Sequence, residues 1–161
     1  MALRRLPDSS FRFICRAPST WAIVGACVMA CLGAPGCDSY SEARAALGPA
    51  ERARFDRGLR IATPCWSCHD LTGDALKVGP PLRGLFGRKA GAVEDFPYSP
   101  ALSRSSLHWD AQNLHRFLAS PQATIPGNRM LSPPIADAGA RADLIFFLER
   151  ATRQSMGDSF Q

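Results

Sequence analysis

The sequence has no run of alternating apolar and polar residues that would make a strand, no internal repeat, and no dense stripe of basic residues. The first absence argues against sheet-based folds, because a half-buried strand alternates with a period of two. The second excludes solenoids and propellers. The third counts against nucleic acid as a partner, and the net charge of +5 does not restore it. Residues 1–36 hold four arginines against one aspartate, which leaves 15 Lys+Arg against 13 Asp+Glu in the remainder, a balance of +2. Histidine is scarce as well: of three in the chain, His108 and His115 have no evident nucleophile or carboxylate beside them, so no catalytic constellation stands out. The length of 161 residues bounds the chain to one domain plus a short targeting segment.

What is present begins at the N-terminus. Arg4, Arg5, Arg12 and Arg16 precede Trp21–Ala34, a stretch without a charge, and small residues follow at Ala34-Pro35-Gly36. That order of basic, apolar and small regions predicts an export signal over 1–36. An uncleaved anchor is the competing expectation, since the uncharged stretch extends from Ala17 to Cys37. Of six cysteines, Cys15, Cys27 and Cys31 would leave with the signal and Cys37, Cys65 and Cys68 would stay, an odd number that does not support a disulfide framework. Ala34-Pro35-Gly36-Cys37 resembles the lipidation site of bacterial lipoproteins, although Ala34 and Pro35 depart from it. Membrane association is therefore expected through a lipidated Cys37 or an uncleaved anchor, with an ordinary cut nearby as the alternative.

Residues 37–48 are polar and Ala-rich and are expected to form a tether, followed by one domain over 49–161. Pro49 suits the first turn of a helix, and Phe55, Leu59 and Ala62 share a face, which predicts a helix over 49–63 ended by Pro64. Residues 70–108 are rich in Gly, Pro and Ser and keep neither period, and so long a loop needs something to wrap around. Asp110 predicts an N-cap for a helix carrying Leu114, Phe117 and Leu118, with Trp109 positioned to staple onto Leu114 and Ser120-Pro121 closing it. After a second irregular stretch, 122–135, Asp137 predicts the cap of a last helix to about Arg153 with Ala140, Leu144, Phe147, Leu148 and Ala151 on one stripe. The expected fold class is all-α: a few helices and long loops, too little self-made core unless a large apolar group fills the middle.

Cys65-Trp66-Ser67-Cys68-His69 is a C-x-x-C-H sequence, the attachment signature of haem c. Two thiols three positions apart meet the two vinyl groups of the porphyrin, and the next residue offers its imidazole to the iron. A thioredoxin-type redox pair would need a βαβ setting, which is absent. A zinc site would need two further ligands at sensible spacing, and Cys37, His108 and His115 are isolated.

From about Phe55 to Thr152 the chain resembles a class I cytochrome c of the mitochondrial and bacterial c2-like type. The segment Val78-Gly79-Pro80-Pro81-Leu82-Arg83-Gly84-Leu85-Phe86-Gly87-Arg88 is similar to the family's V-G-P-N-L-x-G-L-F-G-R. Phe96-Pro97-Tyr98-Ser99 with Trp109 eleven residues after Tyr98, Ile125-Pro126-Gly127-Asn128-Arg129-Met130, and Ala142-Asp143-Leu144-Ile145-Phe146-Phe147-Leu148 match in order. The resemblance implies that Cys65 and Cys68 hold one covalent haem and that His69 and Met130 are the iron ligands. It also implies that Pro80 offers its carbonyl to His69, and that Arg88, Tyr98 and Trp109 hold the propionates. Asn128, beside the ligand, is placed with the cofactor-binding residues, although it and Arg129 stand where the family has Thr and Lys. Phe117 replaces a tyrosine that reaches the Met sulfur, Leu102 replaces an asparagine, and Gln122 and Ala123 replace two lysines that often ring the haem edge. The family's first-helix Phe is out of register, with Ile61 or Ala62 near its place, while Gly58 allows close approach at Phe147.

The resemblance implies a cytochrome c fold and a monomeric single-electron carrier, not an enzyme. It would be periplasmic, either free or tethered to the inner membrane, and would link donor and acceptor redox proteins of respiratory or dehydrogenase complexes. The alternatives are a haem enzyme or sensor with an open sixth position, and a haem subunit fixed to one oxidoreductase.

Overall fold

The structure is a computed structural model and describes residues 40–153. The expected export signal and the first residues of the expected tether lie outside the described residues. Those described form six α-helices: α1 (Ser41–Ala45), α2 (Pro49–Ala62), α3 (Pro100–Ser103), α4 (Ala111–Ala119), α5 (Pro121–Thr124) and α6 (Ala138–Ala151), with a 3₁₀ turn at Thr63–Ser67. No strand occurs among the described residues, and the single β-bridge joins Lys89 to His108. No helix among them is long and apolar enough to cross a membrane.

Helix α2 starts at Pro49, whose missing N–H costs nothing at N1, and Glu51 reaches back to accept from the Gly48 amide at 3.3 Å. It buries Phe55, Gly58 and Ala62, while Leu59 is half-buried. Helix α6 is capped as expected by Asp137, which accepts from the Ala140 amide. Its buried side is wider than one stripe, because Ile145 and Phe146 are covered too. Phe146 lies between two guanidinium groups, with Arg54 at 4.4 Å and Arg150 at 3.4 Å from the ring centroid, an arrangement favoured by the ring's negative face.

Helices α2 and α6 cross at Gly58. A Cβ there would lie 2.2 Å from the Asp143 carbonyl oxygen and 2.6 Å from Phe147 Cβ, so only glycine permits this approach. One turn away, Phe55 and Phe147 meet edge-to-face at 5.1 Å, both fully buried. Phe55 is thus the aromatic that α2 brings to the crossing. Arg54 and Arg57 both pair with Asp143 across the crossing, at 3.2 and 2.6 Å. Helix α4 adds Leu114, Phe117 and Leu118, capped by Asp110.

The expected tether is not free once the described residues begin. Tyr40 stacks on Trp66 with centroids 6.4 Å apart and meets Phe147 edge-on at 5.3 Å. Ala43 and Leu47 pack against the core, and Arg44 pairs with Asp56 at 2.7 Å. Its polar composition concealed two anchors, Tyr40 and Leu47, one on each side of α1. Two further short helices, α3 and α5, occupy stretches expected to be irregular. Each begins with proline at its first position, and the Ser99 hydroxyl caps α3.

Candidate haem-binding site

The 3₁₀ turn after α2 presents both thiols. The Cys68 and His69 amides both donate to the Cys65 carbonyl, at 3.1 and 2.8 Å, which folds the C-x-x-C-H segment back on itself. Cys65 and Cys68 are free and half-buried. Burial pushes the Cys65 thiol above its ordinary pKa, so it stays protonated at neutral pH.

His69 is held from three sides. Its Nδ1–H donates to the Pro80 carbonyl at 2.6 Å. A carbonyl can only accept, so Nδ1 carries the proton and Nε2 keeps its lone pair. The buried Gly79 backbone lies against the ring, where a Cβ would come within 2.3 Å of Cε1. Its amide donates to the Cys68 carbonyl at 2.7 Å. Burial holds the imidazole pKa below its usual value; the Pro80 carbonyl opposes that shift and Lys77 adds to it. Neutral imidazole, the form that can ligate a metal, therefore prevails at neutral pH.

The loop joining His69 to Pro80 is organised by two residues not singled out from the sequence. The Asp70 carboxylate accepts from the amides of Gly73, Ala75 and Thr72, at 2.9, 3.1 and 3.3 Å. The Asp-x-x-Gly spacing was the available signal, since Asp favours turns that its own side chain closes. Lys77 Nζ donates to the Trp66 and His69 carbonyls at 2.8 and 3.2 Å, tying the loop across the cysteine pair.

Arg88, Tyr98 and Trp109 are gathered into one region, though not all in the expected manner. The backbones of Arg88 and Trp109 pair, the Trp109 amide donating to the Arg88 carbonyl at 2.9 Å. The terminal nitrogens of Arg88 donate to the Pro81 and Arg83 carbonyls at 2.8 and 3.0 Å. Its guanidinium thus braces the segment beneath His69, a task the sequence did not reveal. Tyr98 is half-buried, edge-on to Phe96 at 4.7 Å, and burial raises its hydroxyl above the ordinary pKa despite a hydrogen bond with the Val93 backbone. Trp109 is buried and meets Phe117 edge-on at 5.0 Å. Phe117 fills the place of the missing tyrosine as a core residue.

Met130 lies half-buried at the end of the loop after α5, packed against the core. Its amide donates to Asn128 Oδ1 at 2.9 Å. The Asn128 amide nitrogen donates to the Pro121 and Ile125 carbonyls, each at 2.8 Å. Asn128 therefore acts on the peptide chain of the Met130 loop.

Paired half-buried thiols beside a neutral histidine with one fixed tautomer are a donor set that fits a covalently held haem. Among the described residues no group of three or more His, Cys, Asp or Glu could hold a metal ion by itself. The fold and site define a haem protein of the c type. Comparison with known proteins narrows this. No family model matches the chain. It is 38% identical over 93 residues to cytochrome c of Ginkgo biloba, covering 57% of this chain and 82% of that one. It is 34% identical over 107 residues to cytochrome c2 of Blastochloris viridis, covering 66% and 84%. Its fold matches cytochrome cH from Methylobacterium extorquens with a TM-score of 0.56 at 35% identity, over 59% of this chain and 96% of that one. The chain belongs to the class I cytochrome c family: it is a haem-containing electron carrier, and the haem c of this family is covalently attached.

Proposed function

We propose that this chain is an exported single-electron carrier whose one haem is attached through Cys65 and Cys68 and ligated by His69 and Met130. It would link respiratory or dehydrogenase complexes in the periplasm and carry out no chemistry of its own. The observation that carries this reading is the His69–Pro80 hydrogen bond of 2.6 Å, which commits Nδ1 and leaves Nε2 as the ligand atom.

Bound haem supplies the one-electron couple of its iron, and a thioether as sixth ligand raises its potential. The chain's own residues do the rest. Cys65 and Cys68 prevent dissociation, Gly79 and Pro80 hold the imidazole plane, and the Met130 loop delivers a soft ligand that leaves no open position for a substrate. Arg88, Tyr98 and Trp109 converge from three segments, and Tyr98, kept protonated by burial, would serve as a donor to a propionate. Residues 1–36 would direct export, and Cys37 would be the site of any lipid anchor.

Absorption spectroscopy of the oxidised holoprotein tests the ligation. A methionine–iron charge-transfer band is expected, and Met130→Ala should abolish it. A wild-type spectrum without that band, or one that Met130→Ala leaves unchanged, would sink the ligand assignment and favour a haem enzyme or sensor. Mass spectrometry of the mature protein reads the haem count, the cleavage site and any acyl group on Cys37.

A further inference from the structure

We infer that Gln122 and Asn128 form an amide clamp that sets how firmly Met130 is held on the iron. The inference rests on the reading of Met130 as the sixth ligand. The sequence alone presents Gln122 only as a departure from the pattern that the resemblance implies, and Asn128 only as a residue beside the ligand.

The geometry gives both residues a task. Asn128 is 5% exposed, and its side chain spans the loop from three points: the Pro121 and Ile125 carbonyls on its nitrogen and the Met130 amide on its oxygen. Two acceptors on one side and a donor on the other permit only one orientation of the amide. Gln122 closes the same loop from outside. Its nitrogen donates to the Asn128 carbonyl at 2.9 Å, and its oxygen accepts from the Gly127 amide at 3.3 Å. Gly127 sits at φ +81°, so the turn between the two amides requires glycine. The peptide groups on either side of Arg129 are therefore fixed by the side chains of Gln122 in α5 and Asn128 in the loop.

A neutral thioether is a weak ligand that competes with any free base able to reach the iron. Its advantage is preorganisation: the less freedom the loop gains on release, the less Met130 yields to a competitor. Removing this buried amide leaves the Met130 N–H unpaired, while the Pro121 and Ile125 carbonyls keep only their backbone donors, the Ile125 and Asn128 amides, and so loosens the ligand without touching it.

Imidazole titration of the oxidised holoprotein, followed through the methionine–iron charge-transfer band, tests the clamp. Asn128→Ala should bind imidazole about tenfold more tightly than wild type, and Gln122→Ala about threefold more tightly. Asn113→Ala is the control, since Asn113, in the first turn of α4, donates a side-chain amide bond to the His108 carbonyl at 2.8 Å away from the Met130 loop. It should leave imidazole affinity unchanged, even if stability falls. Unchanged affinity in both clamp variants overturns the inference, and so does an equal shift in Asn113→Ala. Should Asn128→Ala not fold, Gln122→Ala decides alone. Failure of the ligand reading has a different signature: wild type itself would show no charge-transfer band, and both ideas would fall.

Discussion

Helices α2 and α6 bury Phe55, Leu144 and Phe147 completely, whereas residues 70–109 contribute only Leu71, Leu85, Ala90 and Trp109 to the apolar core. The helix pair is held by packing: two aromatic rings edge-to-face, a glycine that lets the backbones touch, and ion pairs at the rim. The loop region is held by hydrogen bonds from single polar side chains to the backbone, Asp70 and Arg88 foremost. Apolar burial is cooperative and non-directional, so it builds a scaffold before any ligand is present. Hydrogen bonds contribute little net stability but specify geometry. The two regions divide the work accordingly: one keeps the chain folded, and the other aims His69.

The largest effect should come from the scaffold. Phe55→Ala removes a fully buried ring at the α2–α6 crossing and is expected to cost about 3–5 kcal/mol, measured by denaturant unfolding of the holoprotein. A loss under about 1 kcal/mol would show that the loops or the haem, not the helix pair, carry the stability.

A smaller and more local effect is expected in the loop. Asp70→Ala frees three backbone amides and should cost about 1 kcal/mol. Its distinctive readout is faster hydrogen exchange at Thr72, Gly73 and Ala75, with the amides of α6 unaffected. Faster exchange spread evenly over both regions would erase the contrast between them.

The smallest effect lies at the rim of the crossing. The Arg57 hydrogen bond to Asp143 holds that carboxyl below the usual carboxylate range. A lowered folded-state pKa means that the stabilisation is fully present above the unfolded-state value, about 3.9. It is lost as pH falls through the lower folded-state value. Asp143→Asn should therefore lower Tm slightly at neutral pH, with the gap to wild type closing in acid as pH falls through that lowered value. A gap that persists in acid would assign the effect to packing instead of charge.

How much of this was legible varied with the kind of interaction. Asp110 and Asp137 cap the helices they were expected to cap, because a cap is a local bond between residues three apart. The face of α2 was read correctly at Phe55 and Ala62, but Leu59 is only half-buried and Gly58 is the true point of contact. A glycine has no side chain to register in a hydrophobic pattern; it was the resemblance to the family that set Gly58 against Phe147, and the helices cross there. The segment 37–48 looked like a tether because its composition is polar, whereas Tyr40 within it contacts Trp66 and Phe147, both distant in sequence. Arg88 and Asn128 were placed with the cofactor from resemblance alone, and their hydrogen bonds to the backbone emerged only from the folded loops.

The sequence by itself determined the chemistry: two thiols and an imidazole at C-x-x-C-H spacing, with the order of matching segments identifying the haem c family. Those features are covalent or nearly so, and the chain carries them whether folded or not. Only the tertiary structure decided which nitrogen of His69 is free, because the Pro80 carbonyl that settles it lies eleven residues away across a loop. Only there, too, did Gln122 and Asn128 become partners of Met130's loop, since a side-chain amide has no preference among carbonyls until folding brings one within reach.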